Sequence, residues 1–238
     1  MTVDGLEYSA EQRLAWRLLC GQQVTALAAC GHPRWFEGVA AFGLGAQIPE
    51  LSELSSRVEE LVGWRIAAVD GQVDGQTFGS LLGNCTMPST RHVRSVGELA
   101  HSKEPDMFHD LFGHLPWLID PDYRAFLAAF GETSLALMDV PEARRRLGLA
   151  FKWTIEYGLI AYRGEIRVCG AGLMSSPGEL GHALGSRVRR LPFEPATAMA
   201  TRHVPAQLQR QYFVIDSFAA LRAQLPEMVR CATAADRS

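Results

Sequence analysis

The stretch EPDMFHDLFGHLPW, residues 104–117, places His109 and His114 five residues apart. A second stretch, FKWTIEYGL at 151–159, carries Glu156 among apolar and aromatic residues. Two imidazoles and one carboxylate form the ligand set of non-heme Fe(II) sites that keep open positions for oxygen and substrate. If these three side chains converge, the chain forms an oxygen-activating iron centre.

Spacing alone leaves simpler interpretations open. On an ideal α-helix, five residues rotate the side-chain direction by about 140°, so His109 and His114 diverge unless Gly113 ends or bends the helix. Histidines that only pack in the core or lie on the surface are the commoner explanation of such a pair. Glu156 is costly to bury unpaired. Either a metal cation or an ion pair with Lys152, one helical turn earlier, would compensate its charge.

Apolar periodicity and helix-stop signals predict a mainly α chain with a few short strands. The expected helices cover 10–30, 49–63, 76–83, 104–114, 121–138, 141–161 and 176–184, and a last helix begins after Asp216 or Ser217. The expected strands cover 64–70, 165–169 and 211–215, with an extended segment at 86–94. We expect one structural domain, in which an N-terminal helical segment, 1–60, packs on a catalytic part, 61–238.

Size and composition narrow the class of protein. A chain of 238 residues that is 47% apolar suffices for one domain with a sizeable core. No apolar run approaches the roughly 20 residues that span a bilayer, and the start MTVDGLEYSAEQR lacks the basic region of a signal peptide. We therefore expect a cytoplasmic protein without a membrane partner. The formal net charge of −3 gives no reason to expect nucleic acid binding.

Cysteines and arginine clusters add two smaller points. The five cysteines are widely spaced and form no C-x-x-C, which argues against a disulfide framework and a zinc ribbon. Short basic clusters occur at 144–146 and at Arg187 with Arg189 and Arg190. A solvated helix face explains such clusters, and a ligand or partner site is the alternative.

Three motifs resemble those of the pterin-dependent aromatic amino acid hydroxylases. Residues 104–117 resemble the family motif E-P-D-x-x-H-[ED]-x-x-G-H-x-P, 153–159 resemble F-T-V-E-F-G-L, and 170–179 resemble G-A-G-L-L-S-S-x-G-E. The resemblance extends from about residue 60 to 225 and matches no regulatory domain of the animal enzymes. The chain is therefore similar to the short bacterial type, phenylalanine hydroxylase above all. The resemblance implies a mainly α single catalytic domain of this type.

The same resemblance implies the metal and cofactor positions. The implied ligands of Fe(II) are His109, His114 and Glu156. A tetrahydropterin, either tetrahydrobiopterin or a related compound, is implied to stack on Phe78 and to be approached by Asp110, and Val73 is a further cofactor-binding position. Without the resemblance, Phe78 is a core phenylalanine and Asp110 a solvated helix acid.

For the substrate, the resemblance implies that Arg94, 11 residues before Pro105, pairs with the amino-acid carboxylate. A planar, bidentate guanidinium suits that task, although Arg94 alone would be taken for a surface arginine. Ser102 and Ser175 are implied to lie near the substrate backbone and the iron, Pro105 to shape the ring pocket, and Glu179 to orient a ligand histidine or Arg94. The remaining substrate-binding positions are Lys152, Trp153 and Gly172.

Two residues depart from the family pattern just before the second motif. Family members usually have two aromatic residues where this chain has Phe151 and Lys152. The second of these aromatics contacts the substrate ring in phenylalanine hydroxylases, so a cation there alters the pocket or leaves it by snorkelling. Phe151 lacks the tyrosine hydroxyl often found near the iron. Both changes bear on the substrate and on the ring position that is hydroxylated.

The expected function is ring hydroxylation of an aromatic amino acid by an Fe(II)- and tetrahydropterin-dependent monooxygenase that uses O2. Phenylalanine is the first choice, giving tyrosine, or meta-tyrosine in the altered pocket; tryptophan is the alternative. A non-catalytic aromatic amino acid-binding homologue is a rival that the intact triad disfavours. A zinc hydrolase is another, and it would need no pterin shelf at Phe78. We expect a monomer, since the terminal CATAADRS has no heptad pattern.

Overall fold

Helices dominate the structure, a computed structural model that describes residues 2–3, 6–100, 102, 105–204 and 207–234. The α-helices are α1 Ala10–Leu27, α2 Pro33–Phe42, α3 Leu51–Val62, α4 Gly75–Gly83, α5 Pro121–Ala136, α6 Pro141–Phe151, α7 Ala171–Met174, α8 Pro177–Ala183, α9 Pro195–Ala200, α10 Phe218–Ala223 and α11 Leu225–Ala234. Two π-helices cover His109–His114 and Lys152–Glu156, and two 3-10 helices cover Val96–Glu98 and Leu115–Ile119. None of the described helices is both long enough and apolar enough to cross a membrane.

Short strands form three small sheets. The strands are β1 Thr2–Val3, β2 Leu6–Glu7, β3 Arg65–Val69, β4 Thr86–Thr90, β5 Leu159–Tyr162, β6 Glu165–Val168, β7 Arg189–Pro192 and β8 Gln211–Ile215. Strands β1 and β2 pair antiparallel, and β3 pairs parallel with β4, with Arg65 opposite Thr86. The third sheet has the order β6-β5-β8-β7, in which β5 and β6 are antiparallel and β8 is parallel to both of its neighbours.

Polar caps explain where several helices begin. Ser9 and Gln12 form a capping box at the start of α1. Asp120 accepts two backbone N–H groups at the start of α5, where Pro121 takes the first helical position. Asp74 caps α4 in the same way. These local signals are why the sequence locates α1, α4 and α5 within a few residues.

Most predicted elements are confirmed, but several segments differ from the prediction. The helix predicted over 141–161 ends at Phe151, and its last part is instead the second π-helix followed by β5. A strand forms here instead of a helix because Leu159 and Ile160 are buried and pair with both β6 and β8. Helix α2, at Pro33–Phe42, has no counterpart among the predictions; Pro33 opens it and His32 Nδ1 accepts the N–H of Arg34.

The predicted helix at 104–114 is shorter than expected. Residue 104 lies outside the described residues, helical backbone begins at Met107, and the π-helix follows. Strand β7 and helix α9 have no counterpart among the predictions. Both are short, so they leave little periodicity to detect.

The N-terminal helices hold the histidine segment from one side. Trp16 and Trp35 are fully buried. The Trp35 indole N–H donates to the carbonyl of Phe112, inside the first π-helix, at 3.0 Å. On α1, the Gln23 amide donates to the carbonyl of Met174 at 2.5 Å. These buried hydrogen bonds fix the histidine segment and α7 against α1 and α2.

Helix α2 also lies against the 3-10 helix that follows the histidines. At Gly38 the approach is so close that a Cβ would lie 1.9 Å from the carbonyl oxygen of Pro116. Gly21, in α1, is a natural contrast, because a Cβ added there would meet nothing within 4 Å. Only a residue without a side chain permits the packing of α2 at Gly38.

We expect Gly38→Ala to lower the free energy of unfolding by about 2 kcal/mol or more, because the backbone of the 3-10 helix must move. Gly21→Ala should raise it by up to about 1 kcal/mol through helix propensity. Urea unfolding of both variants measures the difference. Equal stability of the two variants would show that α2 does not pack as described.

Candidate metal centre

The first π-helix explains how His109 and His114, five residues apart, can point in the same direction. In an α-helix each N–H bonds to the carbonyl four residues earlier, whereas in a π-helix it bonds to the carbonyl five residues earlier. The N–H of Leu115, for example, bonds to the carbonyl of Asp110. Residues five apart are therefore one turn apart. His109 and His114 consequently lie on the same face, with ring centroids 4.9 Å apart.

Gly113 has a different part in this geometry from the one predicted. It does not end the helix, which continues through His114 into the 3-10 helix. A Cβ at Gly113 would lie 2.8 Å from both the Cβ and the carbonyl oxygen of Ala171. The missing side chain lets α7, which carries the third motif, pack directly on the histidine helix.

The second π-helix positions Glu156. Its hydrogen bonding is shown by the N–H of Tyr157, which donates to the carbonyl of Lys152 at 2.9 Å. Immediately afterwards, the carbonyl of Gly158 accepts the N–H groups of Cys169 and Gly170. These bonds anchor the end of the π-helix to the start of the third motif, so the Glu156 side chain leaves a fixed backbone.

The three predicted ligands converge. Glu156 Oε1 lies 3.1 Å from His114 Nε2, and Glu156 Oε2 lies 3.4 Å from His109 Nε2. One ligand atom from each residue lies within 4.8 Å of the others, and among the described residues this is the one such cluster of three. Ligands about 2.1 Å from a common ion at right angles are about 3 Å apart, so the observed spacing fits a single metal ion.

The far nitrogen of each imidazole is held by a hydroxyl. His109 Nδ1 lies 3.0 Å from Ser175 Oγ, and His114 Nδ1 lies 3.2 Å from Tyr123 Oη. The Ser175 hydroxyl itself donates to the carbonyl of Ala171, so it accepts from His109 Nδ1–H. That hydrogen bond places the proton on Nδ1 and leaves the Nε2 lone pair for a metal.

Protonation states in the site also suit a cation. Burial lowers the pKa of His109 to about 4, so the imidazole is neutral near pH 7. Burial alone would raise the pKa of Glu156, but Lys152, His114 and His109 hold it well below its usual value. Neutral imidazoles and an ionised carboxylate are the forms that bind metal. Burial raises the pKa of Asp110 to about 7, although its carboxylate accepts the N–H of Thr90 at 2.7 Å.

A cleft of about 340 Å³ opens beside the three ligands. It falls within the size range of small-molecule sites. Of the predicted cofactor and substrate residues, those that line it with the triad are Val73, Phe78, Pro105, Asp110 and Lys152. Phe78 meets Phe151 edge to face, with ring centroids 5.6 Å apart. Among the described residues, the cleft thus combines a metal site, an aromatic surface and one lysine.

Lys152 does not form the direct ion pair with Glu156 that the sequence offered as the alternative to a metal ion. Its ammonium lies over the Tyr157 ring, 5.4 Å from the centroid, and among the described acidic side chains none forms an ion pair with it. Glu156 instead contacts both histidines. The lysine therefore stays in the wall of the cleft, where its ammonium lies over an aromatic face and lowers the pKa of Glu156 without a direct ion pair.

Arg94 is buried, and its guanidinium group binds the carboxylate of Asp106. Its Nε and Nη2 donate to the two carboxylate oxygens at 2.9 and 2.7 Å, and Nη1 donates to the carbonyl of Ser175 at 3.2 Å. Both side chains of the pair are at most 2% exposed. Asp106 also accepts the backbone N–H of His109 at 3.0 Å. Burial would raise the pKa of Asp106, but Arg94 holds it below its usual value.

The other predicted substrate residues are not among the described residues that line the cleft. Trp153 donates its indole N–H to the carbonyl of Thr201 and packs edge to face on Phe213. Gly172 is buried beside the carbonyl of Glu156, and Glu179 is buried and accepts a hydrogen bond from Tyr212. Ser102 is half-buried, in a loop whose residues 101, 103 and 104 lie outside the described part.

Sequence reasoning misses two residues of the site. Tyr123 sits on α5, and nothing in its surroundings in the sequence distinguishes it from a core tyrosine. Asp106 is marked by the sequence only as a helix-start acid, yet it binds both Arg94 and the backbone of His109. A buried, ionised aspartate requires a cationic partner, and the pairing with Arg94 depends on the tertiary fold.

Comparisons with known proteins agree with this geometry. The family described as biopterin-dependent aromatic amino acid hydroxylase matches residues 2–234, including the N-terminal part where no motif is recognisable. The phenylalanine-4-hydroxylase of Mesorhizobium japonicum is 37% identical over 220 residues, covering 91% of this chain and 79% of that protein. The enzyme of that name from Chromobacterium violaceum is 34% identical over 216 residues, covering 89% and 71%.

Solved structures are also similar. C. violaceum phenylalanine hydroxylase with iron(III) and 7,8-dihydrobiopterin has a TM-score of 0.91 at 32% identity, covering 98% of this chain and 85% of that one. The same enzyme with iron and phenylalanine has a TM-score of 0.87, covering 95% and 85%.

We expect Ser175→Ala to weaken Fe(II) binding about 10- to 100-fold, since His109 loses the partner that fixes its tautomer. Ser176→Ala is the matched control, because the neighbouring hydroxyl bonds to the carbonyl of Ala100 and not to a ligand histidine. Competition with a chromogenic Fe(II) chelator measures both affinities. If the two variants bind iron equally well, the serine does not orient His109.

Proposed function

The chain belongs to the biopterin-dependent aromatic amino acid hydroxylases, and we propose that it hydroxylates the ring of phenylalanine with Fe(II), a tetrahydropterin and O2. The observation that carries the proposal is the convergence of His109, His114 and Glu156 in the wall of a cleft that also presents Phe78. The named relatives are phenylalanine-4-hydroxylases, and the similar solved structures include complexes with iron, dihydrobiopterin and phenylalanine.

The residues of the site fit an iron ion. His109, His114 and Glu156 would hold it, and all three line the cleft, so that the remaining positions face the bound reactants. When bound, iron and pterin together supply the activation of O2 that ring hydroxylation requires. Ser175 and Tyr123 keep the two imidazoles oriented. The chain therefore contributes positioning.

We place the pterin against Phe78. The ring of Phe78 forms part of the cleft, next to the loop that includes Val73, and flat ring systems stack on such surfaces. Asp110 lies in the same wall, where its carboxyl group can accept hydrogen bonds from a polar ring edge. Val73 adds an apolar contact beside the ring.

For the amino-acid carboxylate, Arg94 is the proposed partner. Three of its five N–H groups are engaged by Asp106 and Ser175, and two N–H directions remain. Pro105 and Lys152 face the ring of the substrate from the wall of the cleft. The proposed supporting residues are Ser102, Trp153, Gly172, Ser175 and Glu179.

The cellular setting and the organisation are part of the proposal. All five cysteines are free, which suits a reducing cytoplasm. We propose a monomer in which residues 1–60 pack on the catalytic part, supported by the hydrogen bonds of Gln23 and Trp35. Tryptophan hydroxylation is the second candidate, since Lys152 replaces an aromatic wall residue. A non-catalytic binding protein is disfavoured by the preserved metal site.

Incubation of the protein with phenylalanine, Fe(II), a tetrahydropterin and O2 should yield tyrosine or meta-tyrosine, and omission of any one component should abolish the product. His109→Ala should lower turnover on the order of 1000-fold or more, as expected for loss of an essential ligand, whereas exposed His92→Ala should leave it unchanged. Chromatography of the products, with tryptophan and tyrosine as alternative substrates, provides the measurement. Turnover that persists in His109→Ala would contradict the assigned site.

We expect Lys152→Trp to retain iron while changing the product ratio or the preference between phenylalanine and tryptophan. An aromatic wall constrains the substrate ring through dispersion and quadrupole contacts, and displacements of about 1 Å matter in oriented reactions. Lys152→Arg is the control, because it keeps a cation over Tyr157. Parent-like products and preference in Lys152→Trp would make Lys152 a bystander.

A further inference from the structure

A second cleft, of about 250 Å³, shares no lining residue with the metal cleft, and Trp153 is the only one of its described lining residues with a proposed part in hydroxylation. Trp153 contributes to its wall, whereas its neighbour Lys152 lines the metal cleft. The other residues that line the second cleft are Arg189, Thr201, Arg202, Val204, Gln207, Leu208, Gln209, Arg210 and Gln211. We call it the arginine cleft.

The arginine cleft concentrates positive charge in a protein whose net charge is −3. Arg189, Arg202 and Arg210 are exposed, and no acidic residue lines the cleft among the described residues. Among the described acidic side chains, none forms an ion pair with these three guanidiniums. The two residues of the adjacent loop outside the described part, 205 and 206, are proline and alanine in the sequence and bring no charge.

The other basic cluster of the sequence behaves differently. Arg145 and Arg146 both pair with Glu142 on the same helix, at 2.6 and 2.9 Å. That arrangement is the solvated helix face expected of such clusters. The arginine cleft has no such internal compensation among the described residues, so its charge calls for another explanation.

Side-chain hydrogen bonds hold the backbone of the arginine cleft. Gln209 is 5% exposed, and its side-chain amide bonds to the backbone of Val204 in both directions, donating at 2.8 Å and accepting at 3.3 Å. The Gln211 side chain connects Arg189 with Thr201. It accepts a hydrogen bond from Arg189 at 2.5 Å and donates one to Thr201 Oγ1 at 3.1 Å. Arg189 thus lies on one of two paired strands, and Arg210 lies next to Gln209, whose side chain is tied to the backbone of Val204.

We propose that the arginine cleft binds a phosphate group, either as free phosphate or as the phosphate of a small ester. A guanidinium presents a planar pair of N–H donors that matches two phosphate oxygens, and three guanidiniums match a multiply charged oxyanion. The exposed side chain of Gln207 adds a neutral hydrogen-bond donor. Val204 and Leu208, which is 53% exposed, offer an apolar surface for the organic part of an ester.

The ligand would also lie next to Trp153, in the helix that carries Glu156. The indole N–H of Trp153 bonds to the carbonyl of Thr201, in the rim of the arginine cleft. Trp153 belongs to the π-helix that carries Glu156. Binding of phosphate therefore has a direct route to the environment of Trp153, which gives an optical signal independent of turnover.

Isothermal titration calorimetry of the full chain with inorganic phosphate, pyrophosphate and adenosine monophosphate tests the proposal. We expect saturable binding of at least one probe, accompanied by a change in tryptophan fluorescence. Arg202→Gln and Arg210→Gln should each weaken it about tenfold, the effect of losing one charge-assisted hydrogen bond. Arg144→Gln, an exposed arginine in the other basic cluster, is the matched control and should bind as the parent does.

The probes separate the two sources of phosphate. Tighter binding of adenosine monophosphate than of inorganic phosphate and pyrophosphate identifies an ester, and the reverse order identifies free phosphate. Absence of saturable binding with all three probes overturns the proposal. Equal weakening by Arg144→Gln also overturns it, since binding would then reflect overall charge. Circular dichroism of each variant confirms that the fold is kept.

Discussion

The geometry of the metal site depends on one feature of the backbone. At His109–His114 the hydrogen bonding changes from the α-helical to the π-helical pattern. With α-helical bonding, two histidines five residues apart point in directions about 140° apart and cannot share an ion. With the i→i+5 pattern they lie on one face and meet edge to face, with 4.9 Å between ring centroids. π-Helical turns are rare and are frequently found at functional sites, and here the reason is geometric. The remaining elements can be understood as supports that keep this turn in place.

Those supports are buried and mutually connected. Arg94 and Asp106 form a salt bridge almost without solvent contact, and Asp106 also holds the backbone N–H of His109. Arg94 bonds to the carbonyl of Ser175, whose hydroxyl orients the His109 ring. Removal of one partner of such a pair costs about 3–5 kcal/mol. The network therefore couples folding stability to the orientation of a metal ligand, and a substrate role for Arg94 would be added to that structural one.

The sequence predicts the chemistry of the site better than its geometry. The ligands can be identified because the motifs around His109, His114 and Glu156 resemble those of a family, whereas the cost of burying Glu156 alone leaves an ion pair with Lys152 open. The π-helices cannot be predicted, since the same residues satisfy α-helical periodicity and the difference lies in tertiary contacts such as that of Gly113 with Ala171. Helices with strong caps, such as α1 and α5, are located well. Tyr123 is missed because its partner, His114, is set by packing and not by a sequence pattern.

X-ray absorption spectroscopy of the Fe(II)-loaded protein tests most directly whether the π-helical turn places both histidines on one ion. We expect scattering from two imidazoles per iron, with metal–ligand distances of about 2.0–2.2 Å, and from one imidazole in His114→Ala. A parent spectrum with a single imidazole, or one unchanged in His114→Ala, would contradict the shared site and show that His114 points away from the metal.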